Sequence, residues 1–235
     1  MEIGMNILKY LYPPKNKCIL CGVKDPKPLC RICSASIEFI HDRQCLKCGK
    51  GLSDAYTENI CPDCLERSYS FQSAFSSFYY RGAGRELIHK LKYEGKIDAA
   101  KILAKYMADA VRSEDLGADI IVPVPIFDDK LRERGFNQAK AIGECLSRLL
   151  SIPLCDCLIR TRNTKEQYGL DKLERRLNVL DAFSLNMLYN VNNKDILLID
   201  DIYTTGSTVD ECSKELMASG AKQVYVLTAA AGLNT

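Results

Sequence analysis

The chain has 235 residues, enough for one medium domain and a small one, and its 47% hydrophobic content against 26% charged supports a packed core and excludes a disordered chain. The formal net charge is only +2, so overall charge gives no case for nucleic-acid or membrane binding. No apolar run approaches the roughly 18 residues that a membrane span needs. The start, MEIGMNILKYLYPP, lacks a signal-peptide cleavage pattern, so a cytoplasmic protein without a membrane span is expected.

Eight of the twelve cysteines precede residue 65, as four C-x-x-C pairs: Cys18/Cys21, Cys30/Cys33, Cys45/Cys48 and Cys61/Cys64. A reducing cytosol would not keep a disulfide framework there, so metal is the better reading. Each pair aims two thiolates at one ion, and four thiolates make a closed, tetrahedral, structural zinc site. The simplest pairing is sequential, with Cys18, Cys21, Cys30 and Cys33 in one site and Cys45, Cys48, Cys61 and Cys64 in the other. An interleaved pairing of alternate C-x-x-C units stays open. Residues 15–67 form this module; they are poor in periodic apolar runs, so the metal would supply stability that a small core cannot.

From residue 71 the texture changes, and a second domain over 71–230 is expected. SAFSSFYY (73–80) predicts a strand, RELIHKLK a helix with Leu87, Ile88 and Leu91 on one face, and AAKILAKYMADAV a helix with Ile102, Leu103, Tyr106, Met107 and Val111 on one face. DIIVPVP (119–125) predicts a short strand stopped by prolines, and FNQAKAIGECLSRLL a helix carrying Ile142, Leu146 and Leu149, which Asn137 or Gln138 caps. DILLID (195–200) predicts a strand buried on both faces. STVDECSKELMASG (207–220) predicts a helix capped by Ser207 and stopped at Gly220, and KQVYVLTAAA a last strand. Strands alternating with helices imply an α/β fold, a parallel sheet flanked by helices. Cys145, Cys155, Cys157 and Cys212 lie in or near apolar segments and are expected to pack in the core. His41 and His89 have no partners at a suggestive spacing.

The stretch ILLIDDIYTTGST (196–208) carries the most chemistry. An apolar strand ends in Asp200 and Asp201, a loop of small hydroxylated residues follows, and then a helix begins. Ligands of open α/β sheets bind at the carboxyl ends of strands. Thr204, Thr205, Gly206, Ser207 and Thr208 can wrap a phosphate with N–H groups and hydroxyls, with the helix N-terminus adding its partial positive charge. Two aspartates beside a phosphate make sense if they accept from sugar hydroxyls or face Mg²⁺. A ribose 5-phosphate carrying metal-bound pyrophosphate satisfies both demands. Arg132 and Arg134, in RERGFNQ, are suited to pyrophosphate through their forked donors. Residues 159–176 gather Arg160, Arg162, Lys165, Lys172, Arg175 and Arg176 around Gly169; this reads equally as a loop closing over substrate, a nucleic-acid contact or a solvated face. Lys92, at the end of its helix, is a candidate phosphate contact.

VPVPIF, RERGFNQA, EQYGLDKLERRLNVLDAF and LLIDDIYTTGST resemble type I phosphoribosyltransferases, and together with the C-x-x-C pairs they resemble the ComF family, which is associated with DNA uptake in competence. The resemblance implies a double zinc ribbon ahead of a phosphoribosyltransferase-like sheet that binds 5-phosphoribosyl pyrophosphate (PRPP) with Mg²⁺. It implies that Asp200 and Asp201 are the catalytic pair and hold the ribose hydroxyls, that Thr204 to Thr208 hold the 5′-phosphate, and that the turn at Val124 and Pro125 lies at the pyrophosphate, beside Arg134. Any reaction would displace pyrophosphate at the anomeric carbon, through positioning and leaving-group stabilisation. Three readings stay open: a competence factor handling single-stranded DNA alongside a helicase, an active phosphoribosyltransferase of nucleotide metabolism, and a PRPP sensor without turnover.

Overall fold

The computed structural model describes residues 17–40, 43–53, 56–113, 116–163 and 171–234. The cysteine-rich segment forms two short helices, α1 (Arg31–Ala35) and α2 (Pro62–Leu65), and a two-residue strand, β1 (Gly51–Leu52). There follow β2 (Ser73–Tyr79), α3 (Gly82–Glu94), α4 (Ile97–Ser113), β3 (Ile120–Pro123), α5 (Asp128–Arg134) and α6 (Gln138–Leu150). The remainder is β4 (Leu158–Arg160), α7 (Lys172–Val179), β5 (Phe183–Leu185), β6 (Asp195–Tyr203), α8 (Ser207–Ala218), β7 (Gln223–Ala231) and β8 (Leu233–Asn234).

Four strands make one parallel sheet in the order β2-β7-β6-β3. The expected α/β class is therefore what the chain adopts. Alternation along β6 sorts its side chains between the faces. Ile196 and Leu198 pack with Val209, Cys212 and Leu216 of α8, while Leu197 and Ile199 pack with Leu103, Met107, Ile142 and Leu146 of α4 and α6. Both faces are covered, so the strand carries a continuous apolar run, and each fully buried Leu or Ile contributes about 1.5–3 kcal/mol. The predicted apolar faces of α3 and α4 are buried at Leu87, Ile88, Leu91, Ile102, Leu103, Met107 and Val111. Leu149, expected on the α6 stripe, is 43% exposed, in the last turn before Ser151 takes a left-handed backbone. Cys145, Cys157 and Cys212 are buried, as expected.

The two cysteine sets dock on opposite faces of the sheet. Cys18 and Cys30 share a core with Phe78, Leu87 and Met107, and Ser34 Oγ lies 3.1 Å from Tyr106 Oη of α4. Cys45, Cys48 and Cys61 share the other core with Phe71, Tyr203 and Ala231. There Lys47 O accepts from Ala74 N at 2.9 Å. Gly49 makes that approach feasible: its φ is +66°, and a Cβ would stand 2.4 Å from Ala74 O.

Two sequence expectations need correction. The strand does not end at the aspartates; β6 runs on to Tyr203, because Ile202 and Tyr203 still pair with Ala230 and Ala231 of β7. Ser207 does not cap α8 either. Gly206 is the cap residue, at φ +75° and ψ 0°, and Ser207 is the first helical residue. Tyr203 Oη would lie 2.1 Å from a Cβ at Gly206. Gly206→Ala should therefore cost at least about 2 kcal/mol, from the left-handed backbone and the clash together, measured by urea denaturation of the unliganded protein.

Candidate ligand cleft and zinc sites

The sulfurs of Cys18, Cys21, Cys30 and Cys33 lie within 4.8 Å of one another, as do those of Cys45, Cys48, Cys61 and Cys64. This settles the pairing as sequential. Zinc held by four sulfurs at about 2.3 Å sets them about 3.8 Å apart. Cys21 to Cys30 and Cys48 to Cys61 are each 3.7 Å, so both donor sets fit a closed tetrahedral zinc with no position left for substrate.

A cleft of about 390 Å³ opens at the carboxyl ends of β3 and β6. The apolar strand carries Asp200 and Asp201 to its floor, and the hydroxylated loop brings Thr204, Gly206, Ser207 and Thr208 to the same cavity. Val124, Pro125 and Arg134 line it as well. Of the loop positions expected to touch ligand, Thr205 is turned differently: its Oγ1 lies 3.0 Å from Ser207 Oγ, and its carbonyl accepts from Tyr69 Oη at 3.4 Å.

Charge in the cleft is arranged in opposition. Lys92 Nζ lies 3.6 Å from Asp201 Oδ2, and this carboxylate, which is 8% exposed, raises the lysine's affinity for its proton. Asp200 Oδ1 accepts from Asp201 N at 2.8 Å. Burial first, and then the neighbouring Asp201 charge, push the Asp200 carboxyl up to about 7, against the pull of Lys92 and Arg160. Arg160 and Arg175 line the cleft as well, with the Arg160 guanidinium 5.4 Å from the Phe183 ring centre. Burial lowers the Arg160 pKa, and Asp200 opposes that shift.

The basic segment therefore divides. Arg160 and Arg175 reach the cleft, whereas Arg162 donates to Leu180 O at 2.5 Å and braces the chain after α7, and Arg176 is exposed on α7. Lys165, Gly169 and the histidine at position 41 lie outside the described residues. Arg132 is exposed on α5, away from the cleft lining. Asn137 caps α6, accepting from Lys140 N at 3.2 Å, and its Nδ2 donates to Val124 O at 3.0 Å. The Val124 N–H is taken by Ile199 O at 2.9 Å, and Pro125 has none, so amide donors in this turn must come from residue 126 onward. Sequence reasoning missed Tyr80, Tyr93, Lys130 and Gln138, all in the lining. Gln138 is 3% exposed, and its Nε2 has no acceptor among the described residues. Its place in RERGFNQA was the one available signal.

Residues 7–65 match the double zinc ribbon domain family. Over 205 residues the chain is 33% identical to "Competence protein F" of Haemophilus influenzae, covering 84% of this chain and 88% of that protein. The chain belongs to the ComF family. A second ComF relative, "Competence protein ComFC" of Bacillus subtilis, is 28% identical over 84% of this chain and 81% of its own length. Among solved structures, the glutamine PRPP amidotransferase from B. subtilis is similar at 21% identity and a TM-score of 0.39, covering 55% of this chain and 26% of that one. The double zinc ribbon match agrees with the two sulfur sets, so the ComF chain carries two four-cysteine zinc-binding sites. Among the described residues no helix is long and apolar enough to cross a membrane.

Proposed function

We propose that the cleft binds PRPP with Mg²⁺, and that the protein uses this ligand in handling single-stranded DNA during competence. One observation carries the ligand: buried Asp201, half-buried Asp200 and a glycine-capped hydroxyl loop line a single cleft together with Arg134, Arg160 and Arg175. A sugar with two hydroxyls between a phosphate and a pyrophosphate has that pattern of demands. The loop and the start of α8 would take the 5′-phosphate. Asp200 and Asp201 would accept from the ribose hydroxyls. Arg134 and the turn after Val124 would face the pyrophosphate, where forked donors suit paired oxygens. The oxygen donors of the aspartates suit Mg²⁺, with phosphates filling its remaining positions, and the ion would offset the charge of the pyrophosphate. The DNA role rests on the names of the relatives, a competence protein among them and a "DNA utilization protein" of Escherichia coli at 30% identity.

Titrating Mg²⁺ and PRPP into the protein while following thermal unfolding tests the ligand. At about 100 times the dissociation constant the gain is about 2.7 kcal/mol, a rise of about 5–10 °C for a chain of this size. No rise at millimolar PRPP would remove the reading. Pyrophosphate release with a panel of nucleobases separates turnover from binding. Affinity for a single-stranded oligonucleotide that falls steeply with salt would support the DNA role.

A further inference from the structure

The chain leaving the second cysteine set does not go directly to the sheet. Residues 67–71 first cross the back of the phosphate loop and the opening turn of α8. Arg67 Nη2 meets Asp210 Oδ2 at 2.7 Å, and Asp210 Oδ1 accepts from Ser70 N at 2.8 Å. The Arg67 guanidinium lies 4.5 Å from the Tyr69 ring centre, and that ring stacks on Phe71 at 4.8 Å. Phe71 in turn meets Tyr203 edge-on at 6.4 Å, and Tyr203 fills the space beneath Gly206. Tyr69 Oη reaches Thr205 O at 3.4 Å. Asp210 is itself tied to the loop, its N–H donating to Gly206 O at 2.9 Å.

We propose that Arg67, Tyr69 and Asp210 are positioning residues that strap the phosphate loop to the second zinc site. The inference rests on the phosphate reading above for its effect on ligand. Two physical effects converge. The strap fixes the loop backbone from behind, so its N–H groups are ordered before ligand arrives, and a preorganised loop binds more tightly. Arg67 also neutralises a carboxylate one turn into the helix that would receive the phosphate. Without the guanidinium, that charge would oppose the dianion and offset the helix-end contribution.

The test uses the zinc-loaded full chain. Wild type, Arg67→Met, Asp210→Asn and the double variant are compared by amide hydrogen exchange over 203–209 without ligand, and by calorimetric titration with ribose 5-phosphate. Arg67→Met should speed exchange of the loop amides, leave the β6 and β7 core amides protected, and weaken ribose 5-phosphate about tenfold. The double variant should recover only part of that affinity, because no carboxylate then opposes the phosphate while the loop stays unstrapped, and it still melts below the wild type. Recovery with lowered stability is not the result of a merely structural role. Should Arg67→Met fail to fold, Tyr69→Phe removes one hydrogen bond, keeps the stacked ring, and is read in the same way. Unchanged loop exchange, or measurable binding of equal affinity in wild type and Arg67→Met, overturns the strap. Faster loop exchange in a protein whose wild type ignores ribose 5-phosphate upholds the strap and rejects the phosphate reading alone.

Discussion

Cys61→Ser should lower the zinc content from two ions per chain to one and destabilise the protein by more than about 4 kcal/mol, whereas Cys21→Ser should cost distinctly less. Cys61 is fully buried in the core that also holds Phe71, Val209 and Tyr203, so its replacement puts a hydroxyl among apolar groups and leaves Cys45, Cys48 and Cys64 without their fourth partner. Its N–H also donates to Cys45 Sγ at 3.3 Å, so the backbone is part of the sulfur cage. Cys21 is exposed at the edge of the first set, and the apolar contacts behind that set come from Cys18, Leu29 and Cys30 instead. Zinc analysis of the purified variants with thermal denaturation checks the pair. The second set shares its core with Tyr203 and Val209, on either side of the 204–208 loop, so Cys61→Ser should also abolish stabilisation by Mg²⁺ and PRPP, while Cys21→Ser should retain it. Equal losses in both variants would mean that the sets act as one unit, contrary to their separate docking on the two faces.

That separate docking marks where the sequence stops being informative. The cysteine spacing names the ligands, since C-x-x-C is a local pattern read within a few residues. The run DILLID names the central strand, since burial on both faces needs a continuous apolar stretch. The hydroxyl loop is local as well, and four of its five predicted positions line the cleft. What was not legible depends on distant partners. Lys92 and Asp201 meet only once the end of helix α3 is brought beside strand β6 in the fold, and Arg67 finds Asp210 across 143 residues of chain. Neither pair has a periodicity to betray it. Arg160 and Arg162 look alike in sequence, yet Arg160, the last residue of β4, reaches the cleft, whereas Arg162, past the end of that strand, turns to a backbone carbonyl. The extra residues of β6 were missed for a similar reason. Aspartates disfavour a strand locally, and here pairing with β7 overrides that preference.

Asp200→Asn should make the unliganded protein more stable at pH 8 while removing its response to Mg²⁺ and PRPP. The Asp200 carboxyl is pushed up to about 7 by burial and by Asp201, against about 4 in an unfolded chain. Between those values the folded state holds a proton that the unfolded state has released. Stability therefore falls as pH rises from about 4 to about 7, and above 7 the ionised group stays as a standing cost. Asparagine cannot ionise, so that cost, up to about 4 kcal/mol for a carboxyl moved from about 4 to about 7, disappears and the stability profile flattens across the window. Urea denaturation at pH 5 and pH 8 measures both: the two proteins should differ little at pH 5 and clearly at pH 8. Ligand binding runs the other way. A ribose with two hydroxyls to donate prefers the ionised carboxylate, so in the wild type PRPP affinity should fall by up to about tenfold for each pH unit below 7, and in Asp200→Asn it should be weak throughout. A variant that is both more stable and unable to bind identifies Asp200 as a group kept at the expense of the fold, which is what a ligand-binding carboxylate beside buried Asp201 demands. If Asp200→Asn instead destabilises the protein at pH 8, the carboxylate is a structural partner of Lys92 and Arg160, and the assignment of the ribose site moves to Asp201 alone.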